Sequence, residues 1–472
     1  MLFNSFEFFI FLPIVFFTYW FVLKNTLKGQ NLFLLLASYL FYGWWDWRFL
    51  LLILFSTIID YICALNIENQ QSKTVRKIWL GVSLTINLGM LGFFKYYNFF
   101  VESWVEAWAG IGVKMEVSTL NIILPVGISF YTFQTLSYTI DVFKNKLTPT
   151  RNFIDFAAFV TFFPQLVAGP IERASHLLPQ FYKKREFNYD KAVSGVYLII
   201  WGLFKKIVIA DNCAFFVNQI FADHQSFTSV ELWIGAVLFA FQIYGDFSGY
   251  SDIAIGLSRI LGFDLMTNFK FPYFSVNVAD FWRRWHISLS TWFGDYIYIP
   301  LGGSRVSKML QIRNVLVIFL VSGFWHGANW TFVAWGAVHA ILFLPLVVQK
   351  SNNKLDTLNI YKIFQIIITF ILVTLAWVFF RADNIGIALD YLKGMFLPSG
   401  FGIGFFIKNM KFVLLTALTF VGIFILLFVE WKHFIKNKQE VWLGKWGAIF
   451  ILLCILLLGS FKNQLSFIYF QF

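Results

Sequence analysis

Two histidines are the side chains of this sequence best suited to chemistry. His286 lies in the segment Asp280-Phe-Trp-Arg-Arg-Trp-His-Ile-Ser-Leu-Ser290, and His326 follows forty residues later in Phe324-Trp-His-Gly-Ala-Asn-Trp330. Each is flanked by tryptophan and by small or hydroxyl-bearing residues, and the glycine after His326 lets another group come close. An imidazole with a pKa of about 6.5 can take a proton from a hydroxyl group. The pattern therefore favours general acid–base chemistry at His326 and His286.

The remaining histidines and the cysteines have simpler explanations. His176, His224 and His433 lie in polar segments that predict solvated loops, and His339 lies in an apolar run that predicts a packed core residue. The three cysteines are scattered and show neither a disulfide framework nor the spacing of a metal site. Two isolated histidines are too few ligands for zinc. The sequence also has no phosphate-binding loop, dinucleotide fingerprint, GxSxG or HExxH motif, so we predict no metal and no bound cofactor.

Polar residues interrupt two further apolar runs. Gln134 lies on a polar helical stripe within Pro125–Asp141, which predicts either the lining of a polar tunnel or hydrogen bonds between helices. Asp246 and Asp252 share one apolar run and need partners, and Arg259 lies seven residues after Asp252. Asp246 is therefore predicted either to form a structural ion pair or to line the tunnel.

The composition is that of an integral membrane protein. Of the 472 residues, 59% are hydrophobic, 21% are aromatic and only 13% are charged, whereas soluble domains carry about 25% charged residues. The net charge of +12 does not form one basic face, because the basic residues sit in short clusters between apolar runs, as in cytoplasmic loops. The composition excludes a soluble globular domain, and the charge pattern argues against nucleic acid as a partner.

Long apolar runs predict about twelve membrane-spanning helices, since a helix needs about 20 mostly apolar residues to cross a bilayer. The runs are continuous and lack the alternation of β-barrel strands, so the predicted fold class is all-α. Residues 1–23 contain no lysine or arginine, which favours a retained first span over a cleaved signal peptide. The predicted spans are 7–24, 31–46, 49–67, 79–95, 119–140, 192–210, 231–258, 312–326, 329–349, 363–381, 411–430 and 446–461.

The charges between the spans predict the orientation. If the N-terminus is extracytoplasmic, the loops between successive spans alternate between the two sides of the membrane. This alternation places nearly every basic cluster in the cytoplasm, and it places Glu102, Glu106 and Asp223 on the opposite side. The basic residues placed inside are Lys24, Lys28, Lys73, Arg76, Lys77, Lys144, Lys146, Arg151, Arg173, Lys183, Lys184, Arg185, Arg305, Lys308, Arg313, Lys432, Lys436 and Lys438.

The chain is predicted to form a single polytopic membrane domain over residues 1–472. Its motif-bearing core covers about 119–350, and less characteristic C-terminal spans cover about 360–472. No internal repeat or long linker divides it. Only 382–410, which is rich in glycine near its middle, resembles an extramembrane excursion.

The segment 280–296 is amphipathic and cationic. This pattern predicts a helix that lies near the cytoplasmic membrane interface. Asp280 and Arg284 are spaced as an i, i+4 ion pair on that helix.

Six sequence blocks, taken together and in order, resemble the membrane-bound O-acyltransferase (MBOAT) family, and within it the bacterial branch that O-acetylates polysaccharides. The resemblance covers roughly residues 1–345, and the rest of the chain matches only as generic spans. Each block alone is a weak signal, but six in the family order are specific. The blocks are Pro125-Val-Gly-Ile-Ser-Phe-Tyr-Thr-Phe-Gln134, Phe163-Pro-Gln-Leu-Val-Ala-Gly-Pro-Ile-Glu-Arg173, Gly245-Asp-Phe-Ser-Gly-Tyr-Ser-Asp252, Asp280-Phe-Trp-Arg-Arg-Trp-His-Ile-Ser-Leu-Ser290, Asp295-Tyr-Ile-Tyr-Ile-Pro-Leu-Gly-Gly303 and Gly323-Phe-Trp-His-Gly-Ala-Asn-Trp330.

The resemblance implies a fold and a reaction. The family fold is a ring of about 11–12 transmembrane helices, with re-entrant and interfacial helices, around a central tunnel, and Phe163–Arg173 fits a re-entrant segment. The implied reaction moves acetyl groups from cytoplasmic acetyl-CoA to hydroxyls of an extracytoplasmic polysaccharide of alginate or peptidoglycan type. The implied location is the inner membrane of a bacterium, in contact with lipid. A periplasmic SGNH-type acetyltransferase or esterase is the implied protein partner.

Residue roles follow from the same resemblance. The family's near-invariant histidine falls at His326, as general base toward the acceptor hydroxyl or toward a relay group on the partner. Its second polar position falls at His286, which would orient the thioester or stabilise the oxyanion. Basic residues near the histidines could hold the CoA phosphates, although ordinary positive-inside charge also explains them. The predicted donor- and tunnel-binding residues are Arg283, Arg284, Arg305, Trp325, Asn329, Gln134 and Asp246.

Two alternatives differ in chemistry. A D-alanyl or lipid acyltransferase of the same family would use another acyl group or acceptor. A transporter or flippase would explain the many spans and the intramembrane acids without covalent catalysis. The lack of repeat symmetry and the complete motif around His326 argue against the transporter.

Overall fold

The protein is helical throughout the part that the structure describes. The computed structural model describes residues 1–115, 117–349, 359–397, 400–461 and 467–468. Within these ranges the regular elements are α-helices joined by short π-helical and 3-10 turns, with no strand, which confirms the all-α fold class. The α-helices are α1 (Phe6–Phe17), α2 (Leu27–Gly43), α3 (Arg48–Asn69), α4 (Lys73–Leu91), α5 (Tyr97–Ala109), α6 (Ile128–Phe143), α7 (Phe153–Thr161), α8 (Ala174–Phe181), α9 (Tyr189–Leu203), α10 (Asp211–Ala222), α11 (Ser229–Ile260), α12 (Val278–Trp282), α13 (Ile287–Phe293), α14 (Lys308–His326), α15 (Trp330–Gln349), α16 (Ile360–Arg381), α17 (Ile385–Phe396), α18 (Met410–Ile435) and α19 (Gly444–Leu458).

Among the described residues, eight helical stretches are long and apolar enough to cross a membrane. They match eight of the predicted spans, and two shorter apolar helices, Phe6–Val22 and Gly444–Leu458, match the first and the last. The protein is therefore a multi-pass membrane protein. The eight stretches are Arg48–Asn69, Lys73–Ala109, Tyr189–Ala222, Ser229–Ile260, Lys308–His326, Trp330–Val348, Ile360–Arg381 and Met410–Ile435.

The other two predicted spans, 31–46 and 119–140, fall on shorter helices. α2 has 17 residues and α6 has 16. α6 begins only at Ile128, because Gly127 before it has φ 78°, in the left-handed region that favours glycine. A Cβ atom at Gly127 would also lie 2.9 Å from the carbonyl oxygen of Leu166. The apolar run is thus longer than the helix that it forms.

The first of two compact units comprises Met1–Val196 and Ala254–Met266. Buried polar side chains join its helices. Asp60 of α3 accepts hydrogen bonds from the hydroxyl of Ser83 at 2.6 Å and from the amide of Asn87 at 2.9 Å, both on α4. Such bonds between helices satisfy polar groups that lipid cannot.

The second unit comprises Tyr197–Ile253 and Thr267–Phe472, and it contains both candidate histidines. Its helices α14 and α15 approach closely at small residues. A Cβ atom at Gly323 of α14 would lie 2.2 Å from the carbonyl oxygen of Phe332 on α15. Glycine at this contact lets the two backbones pack directly. The assignment of the whole chain to one domain stays a prediction.

The segment 382–410, predicted as an extramembrane excursion, contains α17, which packs inside the second unit. Tyr391 of α17 is fully buried, and its hydroxyl donates to the carbonyl oxygen of Leu232 on α11 at 2.8 Å. Ala388 and Met395 are buried on the same face of α17. Residues 398 and 399 lie outside the described residues.

Candidate active site

His326 is the last residue of α14. The chain leaves the helix at Gly327, where a Cβ atom would lie 2.1 Å from the ring of Phe332. Only glycine therefore allows the chain to turn into α15 at this point without moving the Phe332 ring. The glycine of the Trp-His-Gly motif therefore leaves room for the Phe332 ring directly after His326.

Aromatic rings enclose the His326 imidazole. Its ring centroid lies 5.0 Å from that of Trp325, 5.1 Å from that of Trp335 on α15 and 5.4 Å from that of Phe380 on α16. The residue is only 2% exposed. This environment is poor in water, and electrostatic interactions and hydrogen bonds are stronger there than in solvent.

His286 lies between the two short helices α12 and α13. Its backbone has φ 44° and ψ 52°, a left-handed conformation that is costly for a residue other than glycine. The residue is fully buried, and its ring packs edge-on against Phe247 of α11 with centroids 4.6 Å apart. The centroids of His286 and His326 lie 6.2 Å apart. The structure therefore brings together the two histidines that the sequence singled out.

The left-handed residue corrects the helix predicted over 280–296. That segment is not one amphipathic helix but α12 and α13 with a break at His286. Most of its side chains are buried, Trp285 completely. The predicted pair within it is confirmed, because Nε of Arg284 lies 3.0 Å from a carboxylate oxygen of Asp280. Alternation of polar and apolar residues cannot reveal a single reversed backbone angle, so the prediction was wrong here.

Asn268 is a site residue that the sequence did not reveal. Its side-chain oxygen lies 3.1 Å from Nδ1 of His286 and accepts a hydrogen bond from the Ser288 hydroxyl at 3.0 Å. Asn268 is fully buried and precedes α12 by several residues. A lone asparagine between two apolar runs carries no motif, so only the fold identifies it.

His286 is held in its neutral form. It lies outside the membrane-spanning helices, and burial lowers the pKa of its imidazole to about 3. The side-chain oxygen of Asn268, which lies within hydrogen-bond distance of Nδ1, belongs to a neutral amide. The ring is therefore uncharged at physiological pH.

Two adjoining cavities lie beside this site in the second unit. One of about 660 Å³ is lined by Arg283, Ser290, Tyr298 and Gln311, among others. The other, of about 260 Å³, is mostly apolar and reaches Ser322, four residues before His326 on α14. Trp282, Ser290, Tyr298 and Phe343 line both cavities.

The three predicted donor-side arginines have different surroundings. Arg283 is exposed and lines the larger cavity. Arg284 is engaged with Asp280, and its guanidinium lies over the ring of Phe434. Arg305 is exposed. Arg283 is therefore the arginine with the clearest access to a cavity.

Trp325 and Asn329 have packing and capping contacts. The ring of Trp325 contacts both His286 and His326, with centroids 5.9 and 5.0 Å away. The side-chain oxygen of Asn329 accepts the N–H of Thr331 at 3.0 Å, and its amide donates to the carbonyl oxygen of Asp383 at 2.8 Å. Asn329 thus caps α15, and its part in donor binding stays a prediction.

Gln134 lies in the first unit and joins two segments there. Its amide nitrogen donates to the carbonyl oxygen of Phe159 at 2.8 Å, and its oxygen accepts from Gln165 at 2.8 Å. These contacts support the packing alternative. A tunnel role for Gln134 stays a prediction.

Asp246 is part of a buried ion-pair network. One carboxylate oxygen lies 2.8 Å from Nζ of Lys206, which also lies 2.9 Å from Asp211, and the neighbouring Lys205 lies 2.6 Å from Asp252. The structure thus provides the ion pair that was one of the two alternatives for Asp246. Two adjacent lysines inside the predicted span 192–210 were the available signal, because charges at membrane depth need partners.

Two of the other histidines differ from expectation. His176 lies in α8, where Nδ1 is 2.7 Å from the buried carboxylate of Glu172, and His433 lies in the last turn of α18. The sequence predicted loop positions for both residues, and the structure places both in helices. His339 is fully buried and accepts the indole N–H of Trp282 at 3.3 Å, which confirms the predicted core position. No cluster of three or more potential metal ligands occurs among the described residues.

Comparison with known proteins gives the family. The sequence pattern of the membrane-bound O-acyltransferase family matches residues 142–388, a range that contains His286 and His326. The chain is 36% identical to the peptidoglycan O-acetyltransferase of Helicobacter pylori, over all of this chain and 98% of that protein. It is 42% identical to the probable alginate O-acetylase of Pseudomonas aeruginosa, over 84% of this chain and 75% of that protein.

A second group of relatives is more distant. The chain is 29% identical to the teichoic acid D-alanyltransferase of Bacillus subtilis, over 53% of this chain and 67% of that protein. The similarity to the Helicobacter pylori O-acetyltransferase extends over the full length of the chain, and the family pattern matches more than half of it. The chain belongs to the membrane-bound O-acyltransferase family and is an acyltransferase.

Proposed function

We propose that this protein is a membrane O-acetyltransferase, which moves acetyl groups from cytoplasmic acetyl-CoA to hydroxyls of an extracytoplasmic polysaccharide. The observation that carries the proposal is the pair of buried imidazoles, 6.2 Å apart between ring centroids, in an aromatic enclosure. Transfer from a thioester to a hydroxyl needs a base at the hydroxyl, and it benefits from exclusion of water, which would otherwise hydrolyse the thioester.

His326 is the proposed general base. The hydroxyl oxygen attacks the acetyl carbonyl carbon while its proton moves to the imidazole. The carbon–sulfur bond then breaks, and the leaving sulfur takes that proton to give free CoA thiol. The products are an acetyl ester and CoA, so neither an oxidant nor a further reactant is needed. Trp325, Trp335 and Phe380 would keep bulk water from the imidazole.

The donor is proposed to enter through the larger cavity. Its volume of about 660 Å³ lies within the range of small-molecule sites. Arg283 at its wall supplies a positive charge for a CoA phosphate. The smaller cavity continues to Ser322, one helical turn from His326, and its apolar wall suits the uncharged arm that carries the thioester. Arg305 would add positive charge on the same side.

The acceptor assignment is supported by the relatives. The proteins with the higher identities are named as acting on peptidoglycan and alginate, while the D-alanyltransferase matches over only about half of this chain. An extracytoplasmic polysaccharide is therefore the proposed acceptor class. A periplasmic SGNH-type partner is proposed to receive or deliver the acetyl group, as the family resemblance implies.

The location and orientation belong to the same proposal. The protein would lie in the inner membrane with its N-terminus outside, because this orientation places the basic clusters in the cytoplasm. It also places the donor-side arginines, such as Arg305, on the side where acetyl-CoA is available.

The test supplies full-length protein in nanodiscs with isotopically labelled acetyl-CoA and O-deacetylated alginate or peptidoglycan fragments, with and without periplasmic extract. Thiol release and labelled ester, formed in equal amounts, are the expected products. Ester that forms only when the extract is present would support transfer through a periplasmic partner. Ester that forms without the extract would contradict the need for such a partner. A protein that moves acetyl-CoA across a vesicle membrane intact, without thiol release, would contradict the transferase. Transfer from a D-alanyl donor but not from acetyl-CoA would indicate the other branch.

A further inference from the structure

Several hydrogen bonds of Asn268 converge on the turn that holds His286. The backbone carbonyl oxygen of Asn268 accepts the N–H of Ile287 at 2.9 Å. Its side-chain oxygen accepts the N–H of Ser288 at 3.3 Å and the Ser288 hydroxyl at 3.0 Å. Its amide nitrogen donates to the hydroxyl oxygen of Ser251 at 3.2 Å. One buried asparagine therefore fixes the backbone on the C-terminal side of His286.

These contacts determine which way the Asn268 amide points. The backbone N–H of Ser288 can only donate a hydrogen bond, so the atom that faces it is the amide oxygen. Oxygen in this position also leaves the NH₂ group facing Ser251, which can accept. The orientation thus follows from a backbone donor and does not depend on a choice between two similar atoms.

The orientation of the amide decides the tautomer of His286. Nδ1 of His286 lies 3.1 Å from the same oxygen of Asn268. An oxygen can only accept, so Nδ1 must carry the hydrogen. In a neutral imidazole with the hydrogen on Nδ1, Nε2 has a lone pair and acts as an acceptor. His286 is therefore unsuited to donate from Nε2 to an oxyanion, which is one of the roles that the family resemblance implies for it.

The nearest imidazole that can donate to this acceptor is His326. The centroids lie 6.2 Å apart and the ring planes are inclined by 59°. This separation is longer than that of two directly hydrogen-bonded imidazoles. Catalytic hydrogen bonds are often long before substrate binds and shorten in the substrate complex.

We propose that Asn268, His286 and His326 form a hydrogen-bonded relay in which Asn268 and His286 are positioning residues for the base. Asn268 holds the hydrogen of His286 on Nδ1, and Nε2 of His286 accepts the N–H of His326. The second ring nitrogen of His326 then faces the acceptor hydroxyl with its lone pair. The inference rests on the proposed function, because it takes His326 as the base.

The proton balance of the relay is simple. The hydroxyl proton passes to His326, which becomes an imidazolium and then returns the proton to the sulfur of CoA. Neither His286 nor Asn268 gains or loses a proton. A neutral His286 suits this role, since its low affinity for protons leaves the positive charge on His326 during the reaction.

The backbone of His286 supports a functional reason for the contact. A left-handed residue other than glycine persists only where the surroundings hold it, and such residues cluster at active sites. Here the bonds from Asn268 to Ile287 and Ser288 hold the turn. The turn in this conformation places the His286 ring next to both Asn268 and His326.

The test compares three variants of the full-length protein in nanodiscs: Asn268→Ala, Asn268→Asp and the matched control Ser288→Ala. The control removes the hydrogen bond that the Ser288 hydroxyl donates to the Asn268 side-chain oxygen, and it leaves the bond between that oxygen and His286. The first readout is the ¹⁵N NMR spectrum of the imidazoles, in which the His286 signals are identified by their loss in His286→Gln. The second is the kcat and KM of CoA release from acetyl-CoA.

The relay predicts an Nδ1–H tautomer for His286 in the wild type, retained in Asn268→Asp and Ser288→Ala and depleted in Asn268→Ala. By analogy with partners that orient histidine ligands, kcat should fall about 10- to 100-fold in Asn268→Ala. KM should stay nearly constant, because the lost contact acts in the transition state. Asn268→Asp keeps an acceptor for the Nδ1–H, so its kcat should exceed that of Asn268→Ala. It should stay below that of the wild type, because a carboxylate beside His286 raises the proton affinity of the ring.

Three results would overturn the relay while leaving the proposed function in place. They are an Nε2–H tautomer in an active wild type, full activity in Asn268→Ala, and an equal loss of kcat in Ser288→Ala and Asn268→Ala. The last would mean that the amide merely holds the turn. A wild type with no thiol release, even with acceptor and periplasmic extract added, would instead contradict the proposed function.

Discussion

At the scale of the residue, Arg283 and Arg284 show how neighbours in sequence can differ in role. Arg284 is occupied by Asp280 and by the carbonyl oxygen of Lys270, whereas Arg283 is exposed at the wall of the larger cavity. A charge that is already paired has less to offer a substrate phosphate. The sequence suggested both arginines equally, and only the structure separates them.

Arg283→Ala should raise the KM for acetyl-CoA about two- to fivefold, as expected for a partly solvated ion pair. The kcat should change little, because a phosphate contact acts equally in ground and transition states. The effect should shrink at high salt. Steady-state kinetics at two ionic strengths would measure it, with Lys411→Ala as control, an exposed cation at the start of α18. An equal effect of both variants, or a lower kcat alone, would contradict donor binding by Arg283.

The pair of His176 and Glu172 leads to a prediction about pH. The hydrogen bond to Glu172 raises the pKa of His176 above its usual value, and burial raises the pKa of Glu172. Because the His176 pKa is raised on folding, its contribution to stability is fully present below the unfolded pKa of about 6.5. It is lost as the pH rises through the folded pKa, and it also weakens in acid when Glu172 takes a proton.

We therefore expect the free energy of unfolding of the wild type to exceed that of His176→Gln most near pH 6 and least near pH 9. The difference should be less than about 1 kcal/mol, because His176 is half-exposed. Denaturant unfolding in detergent at several pH values would measure it. In a Glu172→Gln background the pH dependence of the difference should vanish, and a difference that does not vary with pH in the wild-type background would contradict the assignment.

At the scale of the element, α14 and α15 depend on glycine at their contact. A Cβ atom at Gly323 would lie 2.2 Å from a backbone oxygen, which cannot rotate away as a side chain could. Gly81 on α4 is a matched control, because nothing lies within 4 Å of a Cβ atom there.

Gly323→Ala should lower the free energy of unfolding by about 1–3 kcal/mol through overpacking. Gly81→Ala should leave it unchanged or raise it by up to about 1 kcal/mol, since alanine favours helix over glycine. Thermal or denaturant unfolding of both variants in the same detergent would compare them. Equal stability of the two variants would contradict the close approach of α14 and α15.

Much of the helical architecture could be predicted from sequence, and the exceptions have physical causes. The long spans follow from hydrophobic length alone. α6 is shorter than its apolar run because a left-handed glycine precedes it, and α12 and α13 replace one helix because His286 adopts a left-handed backbone. Such single-residue reversals leave no trace in hydrophobic periodicity. Motifs located His286 and His326, but Asn268 has no motif and acts through contacts that exist only in the folded chain.

At the scale of the whole molecule, the orientation can be tested directly. The three native cysteines are buried, so background labelling by an impermeant maleimide should be low. In intact spheroplasts Glu106→Cys should react, whereas Lys438→Cys should react only after permeabilisation. Both positions are exposed in the structure. The opposite pattern would place the N-terminus inside and move the donor-side arginines away from cytoplasmic acetyl-CoA.

The central claim is that His326 takes the proton during transfer of an acetyl group from a thioester. The most direct measurement is thiol release from acetyl-CoA by wild type and His326→Ala, with acceptor present and folding checked by size exclusion. His433→Ala serves as the control, because His433 lies in the last turn of α18, where Nδ1 donates to the carbonyl oxygen of Val429 and Nε2 accepts the backbone N–H of Trp442. We predict turnover in the wild type and the control and a loss of at least about 100-fold in His326→Ala, as for removal of a positioned general base. Equal thiol release by a folded His326→Ala would contradict the account.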